Sequence, residues 1–283
     1  MTRPTGHWTD HLRHAWQASF HRFAPLDRLA HRAYFHYQRV LYAVRLTPDV
    51  LPYLLVESHW ARHPISVRVR PLGGRRIMLR PGTTDAEMLR DTFRDNVHPP
   101  QPEIAARGVR TIVDLGANAG VTVAANALAF PDARILAVEL DAGNAAAARR
   151  NTAPWADRVQ ILHGAVWHED GTVPYNPEAG HEYGLRAGAG TGIAPAHSME
   201  TILSHVDGRV DYMKMDIEGV EARLLSGEAA RWLERVDSIG LQVHDDYTLD
   251  DCARDLEAAG FRARVDPRRT NYIVGVRTGT SAR

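Results

Sequence analysis

Lysine is almost missing from this sequence. Of the 34 Lys and Arg residues, Lys214 alone is a lysine, so wherever a surface cation suffices the chain uses arginine. A single lysine inside an apolar run suggests a role that arginine cannot fill, such as a compact point charge or a tunable amine; a buried pair with Asp216 or Glu139 that only fixes local geometry is the plainer alternative. Cysteine is as scarce. One residue, Cys252, excludes an internal disulfide, and its place on an apolar helix face predicts a buried free thiol and a reducing, cytoplasmic compartment. No apolar run approaches the ~20 residues of a membrane-spanning helix, and the first residues carry no apolar core of the signal-peptide kind. Net charge is missing as well, but unevenly. Residues 1–80 hold thirteen Arg against four acids, a balance of +9, which leaves −9 for the remainder. That asymmetry suits an anionic partner for the N-terminal part and equally suits a solvated basic face.

What is present is a core-forming chain. With 283 residues and 44% hydrophobic content, one large domain with an extension, or two small domains, is expected. The organising stretch is Thr111 to Asn151. An apolar run ends in Gly116-Ala117-Asn118-Ala119-Gly120, a helix-prone segment follows, and a second apolar run from Ile135 ends in Glu139. Strand, Gly loop, helix, strand with an acidic tip is half of a doubly wound nucleotide site. Gly116 and Gly120 permit a sharp turn and let backbone N–H groups approach a ligand. Glu139 sits where an acid accepts hydrogen bonds from ribose hydroxyls. Asp114 is an acid inside an apolar strand, and a cationic amino acid moiety on a ligand would pair it. The spacing is not the Gly-x-Gly-x-x-Gly of nicotinamide dinucleotide binders, and with Asp114 before it and Glu139 after it S-adenosylmethionine is the leading ligand.

Three regions are expected: a helical extension over 1–62, a hairpin-and-helix prelude over 63–102, and the core over 103–283. In the first, Trp8, Leu12, Trp16, Phe20 and Phe23 recur at helical spacing, a second helix covers Leu26 to Leu46, and a third starts with Pro48 at its first position. Packing on the neighbouring domain or in a homodimer is the expected use of these helices; a membrane-surface helix or transit peptide is the minority alternative. Ile65 to Arg70 and Arg76 to Arg80 read as a hairpin, and Thr83-Thr84-Asp85 caps a helix. A third strand is expected over Val159 to Val166, containing His163-Gly164-Ala165. Residues Val173 to His197, with His181, Glu182 and Tyr183, read as a mobile loop near the site. Strands four (Val210 to Met215) and five (Ser238 to Val243), a helix capped by Thr248, and a closing pair (Phe261 to Val265, Tyr272 to Val276) complete the pattern.

A second constellation lies at residues 210–221, VDYMKMDIEGVE. Strand alternation puts Tyr212, Lys214 and Asp216 on one face, with Asp216 at the carboxyl end where ligands sit in such sheets. Glu218 and Glu221 follow at the start of the next helix.

These stretches resemble the FkbM-type methyltransferases: VDLGANAG with Glu139 and Asn144, KMDIEGVE, and the prelude IMLRPGTTDAEMLRDTF, over roughly residues 65–277. METIL before strand four and the ending LEAAGF also fit. The resemblance implies an α/β, class I (Rossmann-like) methyltransferase fold, a doubly wound, mostly parallel seven-stranded sheet with a C-terminal antiparallel hairpin. It implies S-adenosylmethionine as methyl donor and O-methylation of a small molecule, a sugar or secondary metabolite. Asp114, Gly116, Asn118, Gly120 and Glu139 would hold the cofactor; Asp85, Gly164, Ala165 and Asp216 complete that set. Asp216, Glu218 and Glu221 would belong to the active-site motif. The chain departs from the family in having Glu139-Leu140 for Glu-Pro and Gln242-Val243-His244 for Glu-x-His.

Methyl transfer needs a base for the acceptor hydroxyl. His244 is preferred and Asp216 comes next; Lys214 would first have to lose its proton by desolvation, and Glu218 is the remaining catalytic candidate. No metal set is assigned, but in a variant Asp216, Glu218 and His244 hold Mg²⁺. Nucleic acid is not the expected acceptor, although the basic N-terminal part keeps it as a rival. A dehydrogenase and a non-catalytic module with a vestigial site are the others.

Overall fold

Two helices, α1 (Ala24–Leu46) and α2 (Val50–Glu57), open the described part of the chain. The computed structural model describes residues 24–94, 100, 102–176, 187–267, 269 and 271–279; the helix expected over Trp8 to Phe23 lies outside them. Ala43 and Leu46 of α1 and Tyr53 and Val56 of α2 are buried in the same apolar cluster as Ile112 of the central sheet. Tyr34, Phe35, Tyr37, Val40 and Val44 remain exposed on α1. Asp49 holds the N-cap position of α2, its carboxylate turned to Arg68 rather than to the helix, so Pro48 lies just before the helix rather than at its first position.

The alternation of apolar and basic residues then forms an antiparallel hairpin, β1 (Ile65–Val69) and β2 (Arg75–Leu79). Val67, Val69, Ile77 and Leu79 face the core, and the arginines face out. Next come α3 (Asp85–Arg94) and α4 (Pro102–Ala105). The core follows as β3 (Thr111–Leu115), α5 (Val121–Ala129), β4 (Arg134–Glu139), α6 (Ala142–Asn151) and β5 (Val159–His163). After these come β6 (Ala165–Val166), β7 (Gly171–Tyr175), β8 (Gly192–His197), α7 (Met199–Ser204) and β9 (Tyr212–Met215). The chain ends with α8 (Glu221–Leu225), β10 (Ser238–Gln242), α9 (Leu249–Ala258), β11 (Phe261–Val265) and β12 (Tyr272–Arg277).

Seven strands form one sheet in the order β11-β12-β10-β9-β3-β4-β5. From β10 to β5 all pairings are parallel, and β12 runs antiparallel to both of its neighbours. The chain enters mid-sheet at β3, builds to one edge, returns to β9 beside β3 and builds to the other. The reversal at β3 and β9 opens a crevice at their carboxyl ends, the place where such sheets bind ligands. Both faces are covered: Val113, Leu115, Met213 and Met215 pack with α7, α8 and α9, while Ile112, Ile135, Ala137 and Tyr212 pack with α5 and the hairpin.

Two expectations are corrected. The third strand ends at His163: the chain leaves the sheet at Gly164, and Ala165 and Val166 pair instead with β8. Residues 173–197 are not one loop, because β7 and β8 pair antiparallel and make a three-stranded sheet with β6. Prolines hid them; Pro174 sits on the edge strand, where a missing N–H is tolerated. His181, Glu182 and Tyr183 lie outside the described residues. Elsewhere the local signals hold. Ser198 caps α7, Thr248 and Asp251 make a capping box on α9, and Cys252 is a buried free thiol whose pKa burial pushes up to about 12. Among the described residues no helix is long and apolar enough to cross a membrane.

Candidate active site

Register places Asp114 directly opposite Lys214 across the β3–β9 pair. Both side chains are buried, on the face that carries α5. Lys214 Nζ lies 3.2 Å from Asp114 Oδ1 and 3.8 Å from Asp216 Oδ2, and it donates to the Gly116 carbonyl. The other oxygen of Asp114 accepts from Thr122 Oγ1 at 2.7 Å. The cation that pairs Asp114 is therefore supplied by the chain itself, and the electrostatic need for a ligand cation at this carboxylate is met. Burial pulls the Lys214 ammonium down in pKa, but the charges of Asp114 and then Asp216 outweigh it, so the net direction is up. The deprotonated amine needed for a basic Lys214 is thus disfavoured. A lysine suits the position because a point charge with three donors serves two carboxylates and a carbonyl at once. Two tyrosines border this pair. Burial pushes the Tyr212 hydroxyl well above its usual pKa and that of Tyr272 up to about 12.

The loop after β3 is held by its own backbone. Gly116 and Ala117 both donate to the Val138 carbonyl, at 2.9 and 3.0 Å, and Gly120 donates to Ala117 at 2.9 Å. Asn118 N donates to Glu139 Oε2 at 2.8 Å, and Ala119 N to Asn118 Oδ1 at 2.7 Å. Five successive N–H groups are consumed, so the loop has none of the free donors with which a pyrophosphate cradle works. These are the amides expected to approach a ligand, and in this loop their hydrogens all turn to the protein. Gly116 has φ 82°, and a Cβ there would collide with the Asp216 carbonyl oxygen; it is glycine because β3 and β9 close on each other at this point. Gly120, at φ 79°, starts α5 against Ala148 of α6.

Glu139 ends β4 as a buried carboxylate fixed by three donors. Besides Asn118 N, it accepts from Asp141 N at 2.9 Å and from Asn144 Nδ2 at 3.2 Å. Burial raises its pKa, against the pull of those hydrogen bonds. Asp85 is also fully buried, but Arg80 takes both its oxygens, Nε at 2.9 Å and Nη2 at 2.7 Å. The same guanidinium reaches Asn144 Oδ1 at 2.7 Å. Asp85 thus orients Arg80, which orients Asn144, which bonds Glu139. Gly164 N donates to the Glu139 carbonyl at 2.8 Å, which puts Gly164 and Ala165 beside the acidic tip of β4.

On the other side of the crevice, Asp216, Glu218 and His244 come together. His244 Nδ1 lies 2.6 Å from Glu221 Oε1, and its Nε2 lies 3.5 Å from Glu218 Oε2 and 3.7 Å from Asp216 Oδ1. Glu221 is fully buried and its second oxygen accepts from Gly219 N at 2.9 Å. Nε2 is buried without a hydrogen-bond partner. With Nδ1 fixed by Glu221, Nε2 is the nitrogen directed at the crevice. Burial lowers the His244 pKa, but Glu221 first and then Glu218 and Asp216 raise it, and the net direction is up. Ligand atoms of Asp216, Glu218 and His244 lie within 4.8 Å of one another, close enough for one cation.

The candidates therefore fall in two groups at one sheet edge: Asp114, Gly116, Asn118, Gly120, Glu139, Gly164 and Ala165 around the β3 and β4 ends, and Asp216, Glu218 and His244 around the β9 and β10 ends, with Lys214 between. Asp85 lies behind the first group. Thr122 and Arg80 went unnoticed in the sequence. Thr122 sits eight residues after Asp114, in the first turn of α5, and the Arg80–Asp85 spacing in a turn was the available sign of their pairing.

A family model described as the methyltransferase FkbM domain matches residues 114–263, more than half of the chain. No curated protein matches it in sequence. Among solved structures the chain is similar to precorrin-6y C5,15-methyltransferase from Geobacter metallireducens GS-15, at 14% identity and TM-score 0.38 over 62% of this chain and 85% of that one. It is similar to a ribosomal protein L11 methylase from Lactobacillus delbrueckii subsp. bulgaricus, at 17% and 0.36 over 61% and 71%. It is also similar to the O-methyltransferase TomG from Streptomyces achromogenes, solved in complex with SAM, at 15% and 0.38 over 62% and 75%. Likeness at this level says nothing of the substrate.

Proposed function

The chain belongs to the FkbM-domain methyltransferases, and from that premise we propose that it methylates a hydroxyl of a small molecule, a sugar or secondary metabolite, with His244 as the base. It is an S-adenosylmethionine-dependent methyltransferase with an α/β fold. The donor fits the β3 and β4 ends. It has no phosphate, and the loop amides are already satisfied; a dinucleotide would need them free. A carboxylate offers ~four acceptor sites, and Glu139 uses three on the protein, which leaves one for a ribose hydroxyl. When bound, S-adenosylmethionine supplies an electrophilic methyl group on a sulfonium.

The chain's own residues do the rest. Lys214 and Asp114 lock the ends of β3 and β9, which fixes the floor of the crevice. Glu221 accepts the Nδ1–H of His244 and so leaves Nε2 as the lone pair that takes the acceptor's proton. Asp216 and Glu218 then face the imidazolium and stabilise its charge. The observation that carries this reading is the buried, unpartnered Nε2 held by Glu221.

The clustering of ligand atoms within 4.8 Å supports a second reading, in which Asp216, Glu218 and His244 hold Mg²⁺ and the ion polarises the hydroxyl. One experiment separates the two. The full chain is incubated with methyl-tritiated S-adenosylmethionine and a panel of sugars, phenols and RNA, with and without EDTA. Label in a hydroxylated small molecule, unchanged by EDTA and reduced ~10²-fold or more in His244→Ala, is expected. Loss with EDTA and recovery with Mg²⁺ selects the metal; label in RNA, or none, refutes the small-molecule reading. The expected homodimer would use the exposed Tyr37, Val40 and Val44 of α1.

A further inference from the structure

A cavity of about 370 Å³ lies beyond the Glu218 turn, lined by Trp167, Gly188, Gly219, Val220 and Arg223 among others. Gly219 follows Glu218, whose carboxylate is 3.5 Å from His244 Nε2, so cavity and proton acceptor share one wall. The Arg223 guanidinium stands over the Trp167 ring, 5.7 Å from its centroid. Among the described residues it has no carboxylate or carbonyl partner. Four arginines around the core differ in this: Arg80 holds Asp85, Arg158 holds the Ala133 carbonyl, Arg209 holds Asp237 and Arg235 holds the Val206 carbonyl.

From this arrangement we infer that the methyl acceptor carries an oxyanionic group, a carboxylate or a phosphate, which Arg223 binds while Trp167 packs on the adjoining ring. The inference rests on the function proposed above. A guanidinium held over the indole by a cation–π contact keeps N–H donors for an oxyanion, which it can bind with two parallel hydrogen bonds. The donor cannot be the intended anion. The proposed function seats the donor at the β3 and β4 ends, across the crevice from the Glu218 turn; its only negative group is the carboxylate of its homocysteine end, and its adenine end is neutral. The anion must therefore belong to the acceptor, whose hydroxyl then lies across Gly219 from His244.

The test is calorimetric titration of the full chain saturated with S-adenosylhomocysteine. The probes are glucuronate, glucose 6-phosphate and glucose, and the proteins are wild type, Arg223→Ala and Arg223→Lys. At least one acidic probe is expected to bind ten-fold or more tighter than glucose, and which one tells carboxylate from phosphate. Arg223→Ala should abolish that preference, Arg223→Lys should keep part of it, and affinity for S-adenosylhomocysteine should change less than two-fold. Equal binding of acidic and neutral probes, or none by any, overturns the inference while leaving the proposed function standing. An equal loss of S-adenosylhomocysteine affinity in Arg223→Ala overturns it by assigning the cavity to the cofactor. Failure of wild type to bind S-adenosylhomocysteine defeats the proposed function itself.

Discussion

Lys214 is buried against Asp114 and Asp216, and removing one partner of such a pair leaves a charge with nothing to answer it. Lys214→Met should cost about 3–5 kcal/mol in urea unfolding, and Asp114→Asn in the same chain should restore most of it. A single variant as stable as wild type would mean that the pair only decorates the strands. His244 makes the second residue-scale prediction. Its pKa is raised, chiefly by Glu221 acting against burial, and a base must be neutral to act. The acid limb of kcat/KM should therefore lie above the ordinary histidine value of ~6.5. Glu221→Gln should move that limb down, whereas a purely structural Glu221 would lower activity without moving it. The same sign holds for stability: this contribution is full below ~6.5 and is lost as pH rises through the folded-state pKa. At this scale the sequence exposed the chemistry through rarity and alternation. Lys214 stood out because it is alone, and Asp114 because it interrupts apolar residues. The 23-residue gap between Glu221 and His244, and the 64-residue gap between Arg80 and Asn144, carried no local pattern that names a partner.

Among the elements, the junction of β3, its loop and α5 is the least forgiving. Gly116 is in the left-handed region and its missing Cβ makes room for the Asp216 carbonyl, so the ends of β3 and β9 depend on it together. Gly116→Ala should lose at least ~1–3 kcal/mol from backbone strain alone, and more from the parting of the strands. Chemical denaturation checks this, and wild-type stability would show that the two strand ends need not meet. Runs of buried strand, capped helices and the hairpin at β1 and β2 were readable because each has a period or a cap. The strands β6, β7 and β8 were not. Their glycines, alanines and prolines carry a loop's composition, and it is pairing with one another that makes them strands.

Across the whole molecule, the strand order β11-β12-β10-β9-β3-β4-β5 brings residues more than a hundred positions apart to one edge. Asp114, Glu139, Asp216 and His244 meet there because each ends a parallel strand or follows one. The sequence could place each at a strand end, and the general rule for doubly wound sheets then places all four in one crevice. What it could not supply is the acceptor side, where Trp167 and Arg223 come together only through tertiary packing. In the proposed function the β3 and β4 ends hold the methyl donor, with Glu139 on its ribose. Calorimetric titration of S-adenosylhomocysteine tests it without knowledge of the acceptor. Wild type should bind one equivalent, and Glu139→Gln should bind ~10-fold or more weakly, as expected for a lost hydrogen bond to a charged group. Unchanged affinity in Glu139→Gln would mean that the ribose does not bind at Glu139.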